Sequence, residues 1–224
     1  MENISFNFAQ MHQYGTAFYD FLALRKRFFV DQLGWGIPHD ENVEMDQYDN
    51  PNAHYSLVLQ DGKVVGGARA MSTTAQWGSH TYMLRDAVAG KLIGIPADII
   101  PDATTAANVW ECTRLVISDE IDTHDGRSKC LSLIVDGLVF EAKAKGATEM
   151  MSLSPLYFAR TLRKLGYDAN PIGKPYINGD DGRRYVAMSM PAERRMSGES
   201  GVGIIAKPSL GVGQQQPVHA PKKI

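Results

Sequence analysis

Leu24-Arg25-Lys26-Arg27-Phe28-Phe29-Val30-Asp31-Gln32-Leu33-Gly34-Trp35, followed after a short gap by Glu44-Met45-Asp46-Gln47-Tyr48-Asp49, is the stretch around which the chain is organised. Wound as an α-helix, Tyr14, Phe18, Phe21, Leu22, Phe29 and Leu33 fall in one apolar stripe with Arg25 in its middle, while Arg27 and Asp31 fall on the opposite face. A guanidinium keeps its proton, so an arginine aimed into an apolar stripe needs a carboxylate or water. Removing one partner of a buried ion pair costs roughly 3–5 kcal/mol. The acidic loop downstream supplies Glu44, Asp46 and Asp49 as partners; the other reading lets Arg25 snorkel to the edge of the stripe.

Working outward, Ala53 to Gln60 and Lys63 to Met71 read as two strands joined by Asp61-Gly62, a pair suited to a type I′ turn. A regular hairpin on that turn sets Arg69 across from His54, on a face shared with Ser56, Val58, Val65 and Gly67. Residues 72 to 108 have little periodicity beyond a short helix over Met83 to Ala89, and are expected to form a mobile cover over one side of the sheet. Val109 to Ser118 is the strongest strand. Alternation puts Glu111, Thr113 and Leu115 on one face and Trp110, Cys112 and Arg114 on the other, so Glu111 and Arg114 share a site only if a β-bulge intervenes or one side chain reaches around.

Asp122 to Ser128 then leads into an amphipathic helix through Lys145, with Gly146 as its C-terminal cap. Ala147 to Ser154 reads as a parallel strand, since a long helix separates it from the previous one. A helix from Pro155 to Gly166 carries Arg160, Arg163 and Lys164 on one face, either a solvated face or a docking surface for an acidic partner. Tyr167 to Ile172 and Arg184 to Met190 are expected to close the sheet as a hairpin. The whole is an α/β chain, a three-layer α/β/α sandwich around a mixed, partly antiparallel sheet. One domain is expected over residues 1–192, with residues 193–224, rich in Gly, Ser, Pro, Gln and Lys, as a flexible tail.

The chain has 224 residues, 44% of them hydrophobic, enough for an ordinary core. Its net charge of -2, from 23 basic and 25 acidic residues, argues against a partner such as DNA or another nucleic acid. Two cysteines, Cys112 and Cys130, and six histidines lack metal-ligand spacing, so no metal is expected. The first residues lack the pattern of a secretory leader and no stretch approaches a membrane span, which points to the cytoplasm. Walker, Rossmann and Gly-x-Ser-x-Gly motifs are missing. The chemistry-bearing residues left over are Arg25, Glu44, Asp46, Asp49, Arg69, Glu111 and Arg114, a set suited to a zwitterionic substrate whose opposite charges need fixed partners.

Leu-Arg-Lys, a Phe four positions after the arginine, Leu-Gly-Trp, Glu-x-Asp-x-Tyr-Asp, then Arg69 and Trp-Glu-Cys-Thr-Arg-Leu in the same order resemble the acyl-homoserine-lactone synthases, the LuxI-type autoinducer synthases of bacterial quorum sensing. The resemblance spans roughly residues 14 to 190 and implies a fold like that of the N-acetyltransferase (GNAT) superfamily. It also implies two substrates, S-adenosylmethionine and an acyl group carried as a thioester on acyl carrier protein or coenzyme A, with no separate cofactor. The acyl group passes to the methionine amine, the carboxylate closes onto its own γ-carbon, and 5′-methylthioadenosine leaves.

Residue by residue, the resemblance makes Phe29 and Trp35 walls of the adenosylmethionine pocket. Arg25, Asp46, Asp49, Arg69 and Arg114 become a charged network, and Ser152 a residue near the acyl pocket. Glu111 is the candidate general base for the amine, and the loop at Asp125-Gly126-Arg127 a reduced version of the GNAT acyl-carrier loop. Two other readings stand beside this one. The first is a GNAT-type N-acyltransferase acting on another amine, and the second a non-catalytic binder of an acylated carrier or of adenosylmethionine.

Overall fold

The computed structural model describes residues 1–195; the rest of the expected tail, 196–224, lies outside the described residues. Eight strands form one sheet: β1 (Glu2–Asn7), β2 (His54–Gln60), β3 (Lys63–Ser72), β4 (Val109–Ile117), β5 (Glu149–Pro155), β6 (Asn170–Pro171), β7 (Tyr176–Ile177) and β8 (Arg184–Pro191), in the order β1-β2-β3-β4-β5-β8-β6 with β7 also on β8. Among the described residues only β4 and β5 pair in parallel. They are joined through α3 (His124–Lys143), as the long connection requires. Helices α1 (Ala17–Arg25) and α2 (Met83–Val88) cover one face, and α3 and α4 (Phe158–Lys164) the other. The expected three-layer α/β/α arrangement is the one observed.

Two cores result. Phe6, Phe21, Tyr55 and Leu57 pack with α1 and α2, while Val58, Trp110, Ile134 and Met188 pack beneath α3. Gly67 allows the close approach of α1 to the sheet, since a Cβ there would sit 2.5 Å from Leu57 and 2.9 Å from the Phe21 ring. Immediately after Arg25 the helix widens into a π-helical turn, Lys26–Gln32, in which Leu33 N–H reaches back five residues to the Phe28 carbonyl. Phe29 stays buried and Arg27 exposed, as the periodicity predicts. Tyr14 departs from the predicted stripe. It ends a separate 3-10 turn, Phe8–Tyr14, and stacks on Phe6 with centroids 5.0 Å apart.

Several expectations need correction. The Asp61-Gly62 turn forms with both residues at positive φ, and pairs Gln60 with Lys63. One extra residue in β3 then bulges between the Val58 and Leu59 pairings, so Arg69 lies opposite Tyr55 rather than His54. A one-residue slip exchanges faces: Ser56 and Val58 turn toward α3, and Arg69 keeps Tyr55 and Leu57 as neighbours. α3 stops at Lys143, two residues short of the prediction. Pro155 ends β5, and α4 begins three residues later at Phe158. The expected final hairpin is a fragment. β8 inserts against β5, and its partner strands β6 and β7 are two residues each. The first residues of the expected tail, Arg194 and Arg195, pair with Asp136 and Asp168.

Candidate active site

Of the two ways for Glu111 and Arg114 to share a site, the bulge is the one present in β4. Arg69 pairs with Thr113 and Gly67 with Val116, so Ala68 of β3 faces both Arg114 and Leu115. Arg114 takes the extra position at φ 56°, one of two non-glycine residues with positive φ among those described. Such a conformation is uncommon for a long side chain and is held by its surroundings. The bulge changes the parity of the strand. Glu111 and Thr113 face α1 and α2 before it, and Arg114 and Val116 do so after it.

Three arginines and three carboxylates meet there. Arg25 donates from Nε to Glu44 at 2.6 Å and from both Nη atoms to Asp49 at 2.8 and 2.9 Å. Arg69 holds both oxygens of Asp46 at 2.6 and 3.2 Å, lies 2.8 Å from Asp49, and donates from Nε to Thr113 at 3.1 Å. Arg114 reaches Glu44 at 3.2 Å and Asp46 at 2.8 Å. Arg25 and Arg69 are 0% exposed, so Arg25 is paired within the core and does not snorkel. Burial alone would push the Arg25 pKa down, but Asp49 and Glu44 overcome it and leave it above the usual arginine value. Burial likewise opposes ionisation of Asp46 and Asp49; the Arg69 charge, aided by Arg114 at Asp46 and Arg25 at Asp49, holds both below the usual carboxylate range.

Glu111 stands apart from that balanced set. Its carboxylate is 1% exposed and accepts the N–H groups of Met83 and Leu84, in the first turn of α2, at 2.8 Å each. Desolvation outweighs those hydrogen bonds and the pull of Arg69, and raises its pKa from an ordinary 4.5 to about 7. The segment over residues 72–108 is therefore more than a cover, since it carries the donors that orient this carboxylate. Asp86 in turn ties α2 to the acidic loop. It accepts from Tyr48 Oη at 3.1 Å and Thr81 Oγ1 at 2.8 Å, and the Tyr48 ring lies 5.6 Å from the Arg69 guanidinium carbon.

β4 and β5 pair only from Val109 to Cys112 and from Glu149 to Ser152, then part. Where they part opens a cleft of about 770 Å³, lined among others by Phe29, Trp35, Arg114, Ser152, Leu138 and Met188. Phe29 and Trp35 lie against each other at 4.9 Å, and the Arg114 guanidinium carbon is 5.5 Å from the Phe29 ring. Ser152, at the fork, is 3.0 Å from the Ser154 hydroxyl. At the start of α3 the Gly126 N–H is already taken by the Thr123 hydroxyl at 3.1 Å.

The predicted residues Arg25, Asp46, Asp49, Arg69 and Arg114 thus form one cluster, with Phe29, Trp35 and Ser152 along the adjoining cleft. Arg160, Arg163 and Lys164 are exposed on α4, apart from that cluster. Sequence reasoning left four groups without a role: Thr113, the Met83 and Leu84 N–H donors, Asp86 and Asp181. Only Asp86 left a trace, as the one carboxylate in the short helix Met83–Val88.

The autoinducer synthase family model matches residues 9–198. An acyl-homoserine-lactone synthase of Acinetobacter nosocomialis is 29% identical over 161 residues, 69% of this chain and 82% of the relative. Among solved structures, TofI in a ternary complex with an inhibitor and MTA superposes with a TM-score of 0.67 at 25% identity, over 86% of this chain and 92% of that one. An acyl-CoA N-acyltransferase from Pseudomonas aeruginosa shares the fold alone, with a TM-score of 0.53 and 14% identity over 84% of this chain and 99% of its own length.

Proposed function

Because the chain belongs to the autoinducer synthase family, we propose that this site acylates S-adenosylmethionine and closes it to an N-acyl-homoserine lactone. The activity is that of an acyltransferase, an acyl-homoserine-lactone synthase. The observation that carries the reading is the position of Glu111, a buried carboxylate with a pKa near neutrality beside a network whose own charges cancel.

Adenosylmethionine brings a sulfonium, an ammonium and a carboxylate. The three arginines and the carboxylates Glu44, Asp46 and Asp49 balance one another, so Glu111 is the added negative charge available to a cationic substrate. Glu111 takes a proton from the substrate ammonium, directly or through one water, and the freed amine attacks the thioester carbonyl. The C–N bond forms, the C–S bond breaks, and the departing thiolate is protonated. Beyond Cys112, the β4 N–H groups that face the gap have no partner in β5, and supply donors for the developing oxyanion. The methionine carboxylate then attacks its γ-carbon as the C–S⁺ bond breaks, and neutral 5′-methylthioadenosine leaves. That step needs chiefly a folded methionine chain, for which orientation supplies up to ~7–11 kcal/mol.

In this reading Phe29 and Trp35 wall the adenosylmethionine pocket, with the sulfonium near an aromatic face. Arg25, Asp46, Asp49, Arg69 and Arg114 hold the N-terminal lobe against the sheet. Ser152 lines the acyl pocket at the strand fork. The donor is an acyl thioester of acyl carrier protein or coenzyme A, with Arg160, Arg163 and Lys164 as the docking face for an acidic carrier. Adenosylmethionine is a substrate and no further cofactor is used. Residues 1–192 act as one catalytic domain, onto which Arg194 and Arg195 pair. The reaction takes place in the cytoplasm; both cysteines are free, and no helix among the described residues is long and apolar enough to cross a membrane.

The test is product analysis. Purified protein is given adenosylmethionine and a panel of acyl-carrier and acyl-CoA thioesters, and the organic extract is read by mass spectrometry. A series of ions sharing the homoserine-lactone fragment is expected, together with equimolar 5′-methylthioadenosine. Free fatty acid without lactone, from every donor, would overturn the assignment.

A further inference from the structure

Trp35 is fastened from the far end of the chain. Its indole N–H donates to Asp181 Oδ2 at 2.9 Å, across 146 residues of sequence. Tyr185 donates its hydroxyl to the same oxygen at 2.7 Å, and its ring meets that of Trp35 edge-on at 5.9 Å. The other Asp181 oxygen accepts the Arg183 N–H at 2.9 Å, which orients the carboxylate within its own loop. Next to it, Asp180 accepts the Gly36 N–H at 3.3 Å. The loop between β7 and β8 therefore grips the 35–36 backbone and indole together.

Trp35 lies outside regular structure and is only half-buried. The Phe29 ring lies against it at an interplanar angle of 31°, a contact that by itself leaves the indole free to slide and rotate. A hydrogen bond to an ionised acceptor at the indole edge removes that freedom. Burial favours the neutral acid at Asp181, but the donors from Arg183, Trp35 and Tyr185 outweigh it and keep the group below the usual carboxylate range.

We propose that Asp181 is a positioning residue for adenosylmethionine: it sets the orientation of Trp35 on Phe29 and makes the loop between β7 and β8 a third support of that pocket. The proposal rests on the reading of Phe29 and Trp35 as walls of the adenosylmethionine site. Asp181 acts through Trp35 and touches no reacting atom, so its loss should weaken substrate binding rather than chemistry.

Steady-state kinetics of the full chain, varying adenosylmethionine at a saturating acyl thioester, test this. Lactone production by the wild type comes first; without it the functional reading fails, whatever Asp181 does. Given turnover, Asp181→Ala should raise KM for adenosylmethionine about tenfold, the loss of one hydrogen bond to a charged group, with kcat within about twofold. Asp181→Asn, which keeps an acceptor for the indole, should recover most of that loss. Trp35→Phe should raise KM too, and the double variant Trp35→Phe/Asp181→Ala should be no worse than Trp35→Phe alone. An unchanged KM in Asp181→Ala, an equal fall in kcat, no recovery in Asp181→Asn, or additive losses would each overturn the proposal. Should Asp181→Ala fail to fold, Trp35→Phe carries the test, and an unchanged KM there overturns it.

Discussion

Replacing Glu111 with glutamine separates two roles of one carboxylate. The native side chain accepts two N–H groups of α2 at 2.8 Å each, and its pKa is about 7 against an ordinary 4.5. Glutamine keeps the shape but offers one carbonyl oxygen, so one of the two N–H donors loses its acceptor. That costs about 1–3 kcal/mol at every pH. The second effect depends on pH. Between pH 4.5 and 7 the unfolded chain has released this proton and the folded chain still holds it, so stability falls as pH rises and levels off above the folded pKa. The size is about 3 kcal/mol for a fully buried group with this shift. Glutamine does not titrate, so the stability of Glu111→Gln relative to wild type should improve by about that amount between pH 4.5 and 7.5. Urea unfolding at a series of pH values measures it. In parallel, kcat should fall roughly 10²–10⁴-fold, and the rise of wild-type kcat/KM centred near pH 7 should vanish. Parallel pH–stability curves for the two proteins would refute the raised pKa, and kcat within tenfold of wild type would remove Glu111 as the base.

The charged network and the surfaces around it give further expectations. Arg25→Ala leaves three buried carboxylates to two arginines, with Glu44 held by Arg114 alone and Asp49 by Arg69 alone, and should cost about 3–5 kcal/mol in urea unfolding, whereas exposed Arg27→Ala should stay within about 0.5 kcal/mol; equal losses would dissolve the argument from burial. Reversing charge at Arg160, Arg163 and Lys164 together should raise KM for a carrier-protein thioester severalfold and weaken its salt dependence; an unchanged KM would leave this as an ordinary solvated face. Ser152→Leu fills the fork between β4 and β5, and should shift the lactone profile toward shorter acyl chains in mass spectra of the products. An unaltered profile would take Ser152 out of the acyl pocket.

Much of this site was legible because it is written in local patterns. The phase of the first helix put Arg25 among apolar residues, and two carboxylates of the acidic loop, Glu44 and Asp49, proved to be its partners. Alternation over Val109 to Ser118 left a bulge or a reaching side chain as the ways for Glu111 and Arg114 to share a site, and the bulge is there, at Arg114 itself. The Asp61-Gly62 turn was likewise readable from a two-residue preference.

What stayed hidden depends on contacts between distant segments. A bulge in β3 moved Arg69 from His54 to Tyr55, because where a strand absorbs an extra residue depends on packing against both neighbours. Three arginines and three carboxylates can pair in many ways, and only the fold selects the forked arrangement. The near-neutral pKa of Glu111 needs burial as well as α2 above it, and the link from Trp35 to Asp181 joins residues with no sequence relation. The sequence alone narrowed the charged residues near the core to a short set and showed that β4 needed a bulge or a reaching side chain for Glu111 and Arg114 to meet, since helical and strand periods act over a few residues. The tertiary structure alone decided which charges meet, which is desolvated and which aromatic wall is held in place, because these follow from surfaces that come together only when the whole sheet has closed.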